Sequence, residues 1–501
     1  MLLSFLFCLA VALAQFVRPK LPSQDSFYDA PSNLTSYSEG DIISYRKAPS
    51  QIRSIYAPLN IKEAWQLLVR SQNARGEPTA IVSTILVPYD PNPDLLVSYQ
   101  FAQDSATMDC LPSYGMLFGA GMGTFVAQAE MLLCQTALAK GWYVVVPDYE
   151  GPDGAFTSGW QAAYATLDSL KAALNSEKFS GLSPDAKAAI WGYSGGSFAS
   201  SWAASLQPSY KPDLKKNLVG AALGGWVTNW TDVIWASEGT ISAGLTPNIL
   251  NGYRTSNPDL QEVFDDEFDE DKRKRLYDSA DNCLMTSILQ YAFRRFFSGR
   301  NPWTSKGWDF FLIPEIKDQV LNNTLGRNDK IPLPEIPLFA FHGIPDEIVP
   351  FSGSEETYEN FCDRGIESFE FAVSNTTGHI LEAAEGSPAA LAWIQKRFDG
   401  EEPVKGCKRT VRSTNVLYPG ADVQLTQLIK TIPSSFSGKE IGESTRNITE
   451  STTWTGLLQN VLGGLLTFVG PIPLKREVRP VYSNEEFDLA IRRLMEGASS
   501  Y

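Results

Sequence analysis

The stretch Gly192-Tyr193-Ser194-Gly195-Gly196 is the one G-x-S-x-G of this chain, and a serine so placed can carry acyl-transfer chemistry. Its hydroxyl is a poor nucleophile alone. It needs a base to take the proton, an acid to orient that base, and N–H groups to hold an oxyanion. The base is nearly forced, because the chain has only two histidines, His342 and His379. The chain order serine, acid, histidine that goes with such a turn selects His379, in the loop after "FEFAV". His342, ending "LFAFHG", reads as a structural residue at a strand end. The acid must lie upstream of His379, at a strand's carboxyl end. Asp346 comes first after the turn Gly343-Ile344-Pro345; Glu347 is the runner-up and Asp363 a remote third. For the oxyanion, the N–H of Gly195 needs a partner from the loop after "LLVSYQF", which is Ala102-Gln103-Asp104-Ser105. Asp104 is odd there, since a carboxylate repels a developing oxyanion unless it is protonated or turned away. Its backbone N–H is the better donor, and on residues alone it equally suits a plain turn.

Positioning these groups requires strands that end together. "TAIVSTILVPY", "DLLVSYQFA" and "GWYVVVPDY" are β-rich runs, while "GTFVAQAEMLLCQTALAKG" and "SGWQAAYATLDSLKAALN" read as helices. Such alternation predicts an α/β fold, a mostly parallel sheet with helices on both faces. Lys187–Trp191 suits a short buried strand. Beyond Gly196, Phe198, Trp202 and Leu206 recur every four residues, as a helix laying one face on the sheet would require. From 217 to 315 the chain is rich in Trp, Phe and Leu without strand alternation, which reads as an inserted helical module whose aromatics are mostly core. Strand-like sequence returns at 336–343 and 367–374. The core is thus expected in two parts, 15–216 and 316–407, followed by a separate flap and tail over 408–501. That tail holds an apolar stretch, 454–473, which Gly and Pro break too often for a membrane helix. A capping box, Ser483 to Glu486, opens a last helix.

A net charge of −15 over 501 residues argues against nucleic acid as a partner. Residues 1–14 end in Ala12-Leu13-Ala14 and read as a secretory signal peptide; the run is too short for a membrane anchor. Five sequons, at Asn33, Asn229, Asn322, Asn375 and Asn447, offer glycosylation sites in an exported protein. Beyond the leader lie Cys110, Cys134, Cys283, Cys362 and Cys407, enough for two disulfides and one thiol. Cys134 sits in a helical-looking run and is read as the buried thiol. Sequence leaves the pairing open, with Cys362–Cys407 and Cys110–Cys283 the preferred choice. No Cys or His spacing suits a metal, and the chemistry asks for no cofactor.

With these pieces in order, the chain resembles the fungal secretory lipase family. The resemblance rests on "YQFAQDS", "GWYVVVPDYEGP", "AFTSGWQAAYATLDSLKAAL", "WGYSGGSFASSWAASL", "HGIPDEIVP" and "TTGHI", and covers most of residues 25–407. It implies an α/β-hydrolase with a helical cap, secreted and cofactor-free, acting on triacylglycerols and simpler esters at an oil–water interface. By position it makes Ser194, Asp346 and His379 the triad and Asp104 with Gly195 the oxyanion residues. It also makes the helical module the cap and the four paired cysteines the disulfides. From about Arg476 onward the chain departs from the family. Competing readings are a short-chain carboxylesterase or acyltransferase, a peptidase on the same scaffold, and an inactive hydrolase fold serving as a binding module.

Overall fold

Ten strands form one mixed sheet in the computed structural model, which describes residues 18–443 apart from 56, 329 and 437. The leader, Asn447, the 454–473 stretch and the last predicted helix lie outside the described residues. In chain order the strands are β1 (Ile42–Lys47), β2 (Glu63–Gln72), β3 (Pro78–Val87), β4 (Asn92–Gln100), β5 (Trp142–Pro147), β6 (Lys187–Tyr193), β7 (Leu218–Gly224), β8 (Leu338–Gly343), β9 (Ser368–Ser374) and β10 (Gly406–Arg412). Their spatial order is β1-β2-β3-β5-β4-β6-β7-β8-β9-β10. The first three pair antiparallel, and β3 meets β5 antiparallel. From β5 to β10 every neighbour is parallel. This is the α/β-hydrolase architecture, with carboxyl ends of the parallel strands gathered on one edge, where such sheets place their chemistry.

Helices cover both faces because the parallel strands are buried on both. On one face, helices α2 (Gly159–Leu174), α3 (Gly195–Tyr210) and α8 (Phe351–Asp363) share a core that includes Ala188 and Ile190 of β6 and Phe369 and Phe371 of β9. On the other, α1 (Phe125–Leu138), α9 (His379–Phe398) and α10 (Ala421–Phe436) pack on Ala189 and Trp191. The helical module fills residues 225–337. Its helices include α4 (Trp230–Ser237), α5 (Leu245–Ser256), α6 (Leu284–Tyr291) and α7 (Pro314–Asn322). It has a core of its own, containing Trp230, Phe264, Phe296, Trp303 and Phe310.

Three expectations need correction. The module does not begin at 217: Leu218–Gly224 is strand β7, between β6 and β8. Nor does it end at 315, since α7 and the chain beyond it run on to β8. The separate tail does not begin at 408, because Gly406–Arg412 adds to the sheet edge and α10 packs on α9 and α1. The third concerns α3. Phe198, Trp202 and Leu206 face the module's core, while Ala199, Ala203 and Ala204 lie on the sheet. Small residues let the helix approach the strands closely, and the aromatic stripe serves the second layer.

Candidate active site

Strand β6 delivers Ser194 at φ +52°, a left-handed conformation that an L-residue adopts only when its surroundings impose it. The imposition is steric. A Cβ on Gly192 would overlap the Gly196 backbone, and one on Gly196 would overlap the Gln100 carbonyl on β4. Ser194 N–H donates to the Gly224 carbonyl at 2.9 Å, tying the turn to the end of β7. Helix α3 starts at once, so the hydroxyl stands at the strand edge.

Two more strand ends meet it there. His379, the first residue of α9, places Nε2 2.9 Å from Ser194 Oγ. Its Nδ1 lies 2.7 Å from Asp346 Oδ2, and its ring is buried. Asp346 is fixed in turn: Oδ1 accepts from the N–H groups of Ile348 at 3.0 Å and Val349 at 2.7 Å. Glu347, the runner-up acid, faces elsewhere and accepts from the His379 backbone N–H at 2.8 Å. It anchors the start of the helix rather than the imidazole. Asp363 ends α8, away from this edge.

His342 does more than close a strand. Its Nδ1 accepts from the Trp226 N–H at 3.1 Å, so the ring proton resides on Nε2. That Nε2 lies 3.1 Å from Asp346 Oδ2. The carboxylate thus faces two imidazoles. Burial alone would raise the Asp346 carboxyl, but His379 and His342 hold it well below the usual carboxylate range. Burial would likewise lower the His379 imidazole, yet Asp346, Glu347 and Asp104 together carry it above its ordinary value.

Asp104 also arrives at this edge, four residues after β4, at φ +48°. A Cβ on Gly195 would overlap Asp104 Oδ1, so the carboxyl leans over the residue after the serine. That oxygen is buried without a hydrogen-bond partner among the described residues. Burial pushes the Asp104 carboxyl up to about 7, against the pull of His379. Its turn is braced from below. Glu130 on α1 accepts from the Ala102 N–H at 2.9 Å and the Tyr99 hydroxyl at 2.8 Å, and Tyr149 donates to the Phe101 carbonyl at 2.7 Å. Burial lifts Glu130 to about 8. Glu150, facing the backbone of Ser105 and Asp104, is raised well above its usual range by burial and by the Asp104 charge.

Against known proteins, the family model described as secretory lipase matches residues 116–406. Lipase 1 of Candida albicans is 44% identical over 465 residues, 91% of this chain and 98% of that protein. The chain belongs to the secretory lipase family. Lipase A of Arthroderma benhamiae is 34% identical over 85% of the chain and 90% of its own length. Among solved structures, Candida antarctica lipase A superposes with a TM-score of 0.74 at 29% identity, covering 85% of the chain and 99% of that structure. The rice cell wall degrading esterase LipA from Xanthomonas oryzae, at 15% identity and a TM-score of 0.53 over 73% of the chain and 97% of its own, shares the fold.

Elsewhere in this secretory lipase, Cys110 is bonded to Cys283 and Cys362 to Cys407, and Cys134 is a buried thiol. Asn33, Asn322 and Asn375 are at least partly exposed. Asn229 is not: it caps α4 by accepting from the Thr231 N–H and is 5% exposed, which leaves no room for a glycan. It is the least accessible of the four sequons among the described residues. No group of three or more His, Cys, Asp or Glu among the described residues suits a metal, and no described helix is long and apolar enough to cross a membrane. The braces Glu130, Glu150 and His342 escape sequence motifs. One signal was available for His342, which stands four residues before the acid across a turn.

Proposed function

We propose that this chain is a secreted serine lipase, hydrolysing triacylglycerols and simpler fatty-acid esters through an acyl-enzyme. The observation that carries the reading is the unbroken relay from Ser194 Oγ to His379 Nε2 at 2.9 Å and from His379 Nδ1 to Asp346 Oδ2 at 2.7 Å. Ser194 attacks the ester carbonyl as His379 takes its proton. Asp346 holds the imidazole tautomer and offsets the imidazolium charge, and His342 keeps Asp346 turned toward it. The N–H groups of Gly195 and Asp104 receive the oxyanion. His379 returns the proton to the leaving alcohol, and water then cleaves the acyl-enzyme by the same route. The module over 225–337 serves as the cap, its apolar layer suited to an oil–water interface.

The test is hydrolysis of p-nitrophenyl esters from two to eighteen carbons, with Ser194→Ala beside the parent. Activity reaching long chains, higher on emulsions than on monomers and abolished in the variant, is the expected result. Activity confined to short soluble esters would make the chain a carboxylesterase. An inert parent, or a Ser194→Ala variant as active as the parent, would overturn the reading.

A further inference from the structure

The turn carrying Asp104 is held from the module as well as from the sheet. Asn248, on α5 and 1% exposed, donates from Nδ2 to the Asp104 carbonyl at 2.7 Å. Its Oδ1 accepts from the Ser287 hydroxyl of α6, also at 2.7 Å. Both ends of the amide are engaged, so its orientation is fixed. The next residue, Ser105, is caught by the same helix. Leu284 N–H donates to Ser105 Oγ at 3.0 Å, and that hydroxyl donates to the Gln103 carbonyl at 2.8 Å. One residue before Leu284, Cys283 is bonded to Cys110. This part of the module is therefore held to the turn by hydrogen bonds and, through Cys110, tied covalently to the chain a little beyond it. Left-handed backbone at a non-glycine residue persists only where its neighbours over-determine it, and the contacts of Asn248 and Leu284 are the ones supplied by the module.

We propose that Asn248 is a positioning residue for the oxyanion turn, its hydrogen bond to the Asp104 carbonyl keeping residue 104 in the left-handed conformation on which its role depends. A seated cap and a competent site are then a single state. The inference rests on Asp104 and Gly195 being the oxyanion residues. Asn248 touches no reacting atom. It acts through the peptide that follows Asp104, so losing it should weaken the transition state more than substrate binding.

The experiment measures kcat and KM on a soluble p-nitrophenyl ester for the parent, Asn248→Ala, Asn248→Asp and Ser194→Ala, with folding followed by circular dichroism and thermal unfolding. Asn248→Ala should lose about ten- to a hundredfold in kcat, less than deletion of a donor itself, with little change in KM. Asn248→Asp is nearly isosteric, but when ionised it turns an acceptor toward the carbonyl. Only its protonated form can donate. Burial raises such a carboxyl, so the ratio of its kcat to the parent's should rise as pH falls from about 9 to about 5. His379, Asp104, Glu130 and Glu150 titrate in both proteins, so their own pH dependence divides out of the ratio apart from the upward shift that an ionised carboxylate at position 248 gives them, which the parallel pH profile of Asn248→Ala, with no such charge, separates. A structural role alone would leave that ratio flat. A folded Asn248→Ala variant with parental kcat, or a flat ratio for Asn248→Asp, overturns the inference; should Asn248→Ala not fold, the ratio decides. Residual activity in Ser194→Ala would instead sink the serine mechanism, a separate failure.

Discussion

Asp104 brings the acid–base requirements of the site into conflict. Its carboxyl, pushed by burial up to about 7, is neutral below that pH and negative above it, beside the position the proposed mechanism gives to the oxyanion. In the proposed mechanism His379 must be neutral to accept the Ser194 proton, yet its imidazole is raised by carboxylates that include Asp104. On the proposed mechanism the base asks for higher pH and the Asp104 turn for lower, so the two protons leave in coupled steps and activity should be confined to a narrow bell. Asp104→Asn tolerates left-handed backbone and carries no charge. Its pH profile of kcat/KM should extend further into alkali than the parent's, and its acid limb should move down as His379 loses a negative neighbour. Coincident profiles would mean that the Asp104 charge does not reach the chemistry. At this scale the proposed triad could be read from the sequence because histidine is so scarce that position alone selects His379. The braces were not, because a lone Glu or Asn on a helix has no signature until the fold sets it against a backbone group. Glu347 is the instructive case. It neighbours Asp346, and only the turn geometry sends one carboxylate to the imidazole and the other to the backbone of the same histidine.

At the scale of elements, sequence showed six of the ten strands, those with the clearest β-branched and aromatic runs, and left β1, β2, β7 and β10 unread; the last two carry the weakest signal. Strand β7 reads "LVGAALG", whose small residues are buried on both faces and carry no alternation. Strand β10 reads "GCKRTVR", a largely exposed edge strand whose charges look like loop. Its place is fixed in part by the Cys362–Cys407 disulfide, which ties it to the end of α8 across a sequence separation of 45 residues. Cys407 pairs with Phe369 near the start of β9, at the opposite end of that strand from His379. Replacing both cysteines with serine should lower the unfolding free energy by up to about 4 kcal/mol, from the loop entropy restored to the unfolded chain. It should leave kcat unchanged at temperatures where the variant is folded. The Cys110–Cys283 pair differs in kind, since it joins the module to the chain just beyond the proposed oxyanion turn, and its removal should reduce kcat as well as stability. Thermal unfolding and ester hydrolysis on the two double variants separate these outcomes. Equal loss of kcat in both would contradict the assignment of one disulfide to the scaffold and the other to the site.

Across the whole molecule, buried carboxyls decide how stability responds to pH. Burial raises Asp104, Asp148 and Glu382 to about 7, Asp168 and Asp232 to about 6, and Glu130 to about 8. Each keeps its proton in the folded chain at a pH where the unfolded chain has released it. Folding is therefore favoured most below the ordinary carboxylate range, and that contribution drains away as pH rises toward 8. A second set runs the other way. Asp25 is held low by Arg46, against its burial, and Asp213 by its hydrogen bond from Lys171. Asp346 is held low by the two imidazoles, also against its burial. Their contribution is present above the ordinary carboxylate range and is lost as pH falls through their depressed values. The two sets together place the stability maximum on the acid side of neutrality. A net charge of −15 reinforces the alkaline loss, because every carboxylate uncovered at high pH joins an already negative molecule. The midpoint of thermal unfolding should accordingly fall as pH is raised from about 5 to about 9. Glu130→Gln should flatten the upper part of that slope, since it removes the carboxyl raised to about 8 while preserving an acceptor for the Ala102 N–H. A midpoint that peaks above pH 8, or a Glu130→Gln slope identical to the parent's, would show that these carboxyls are ionised in the folded protein. The buried cluster beneath the proposed oxyanion turn would then need charge compensation beyond what the His379 imidazole gives Asp104 and Glu130.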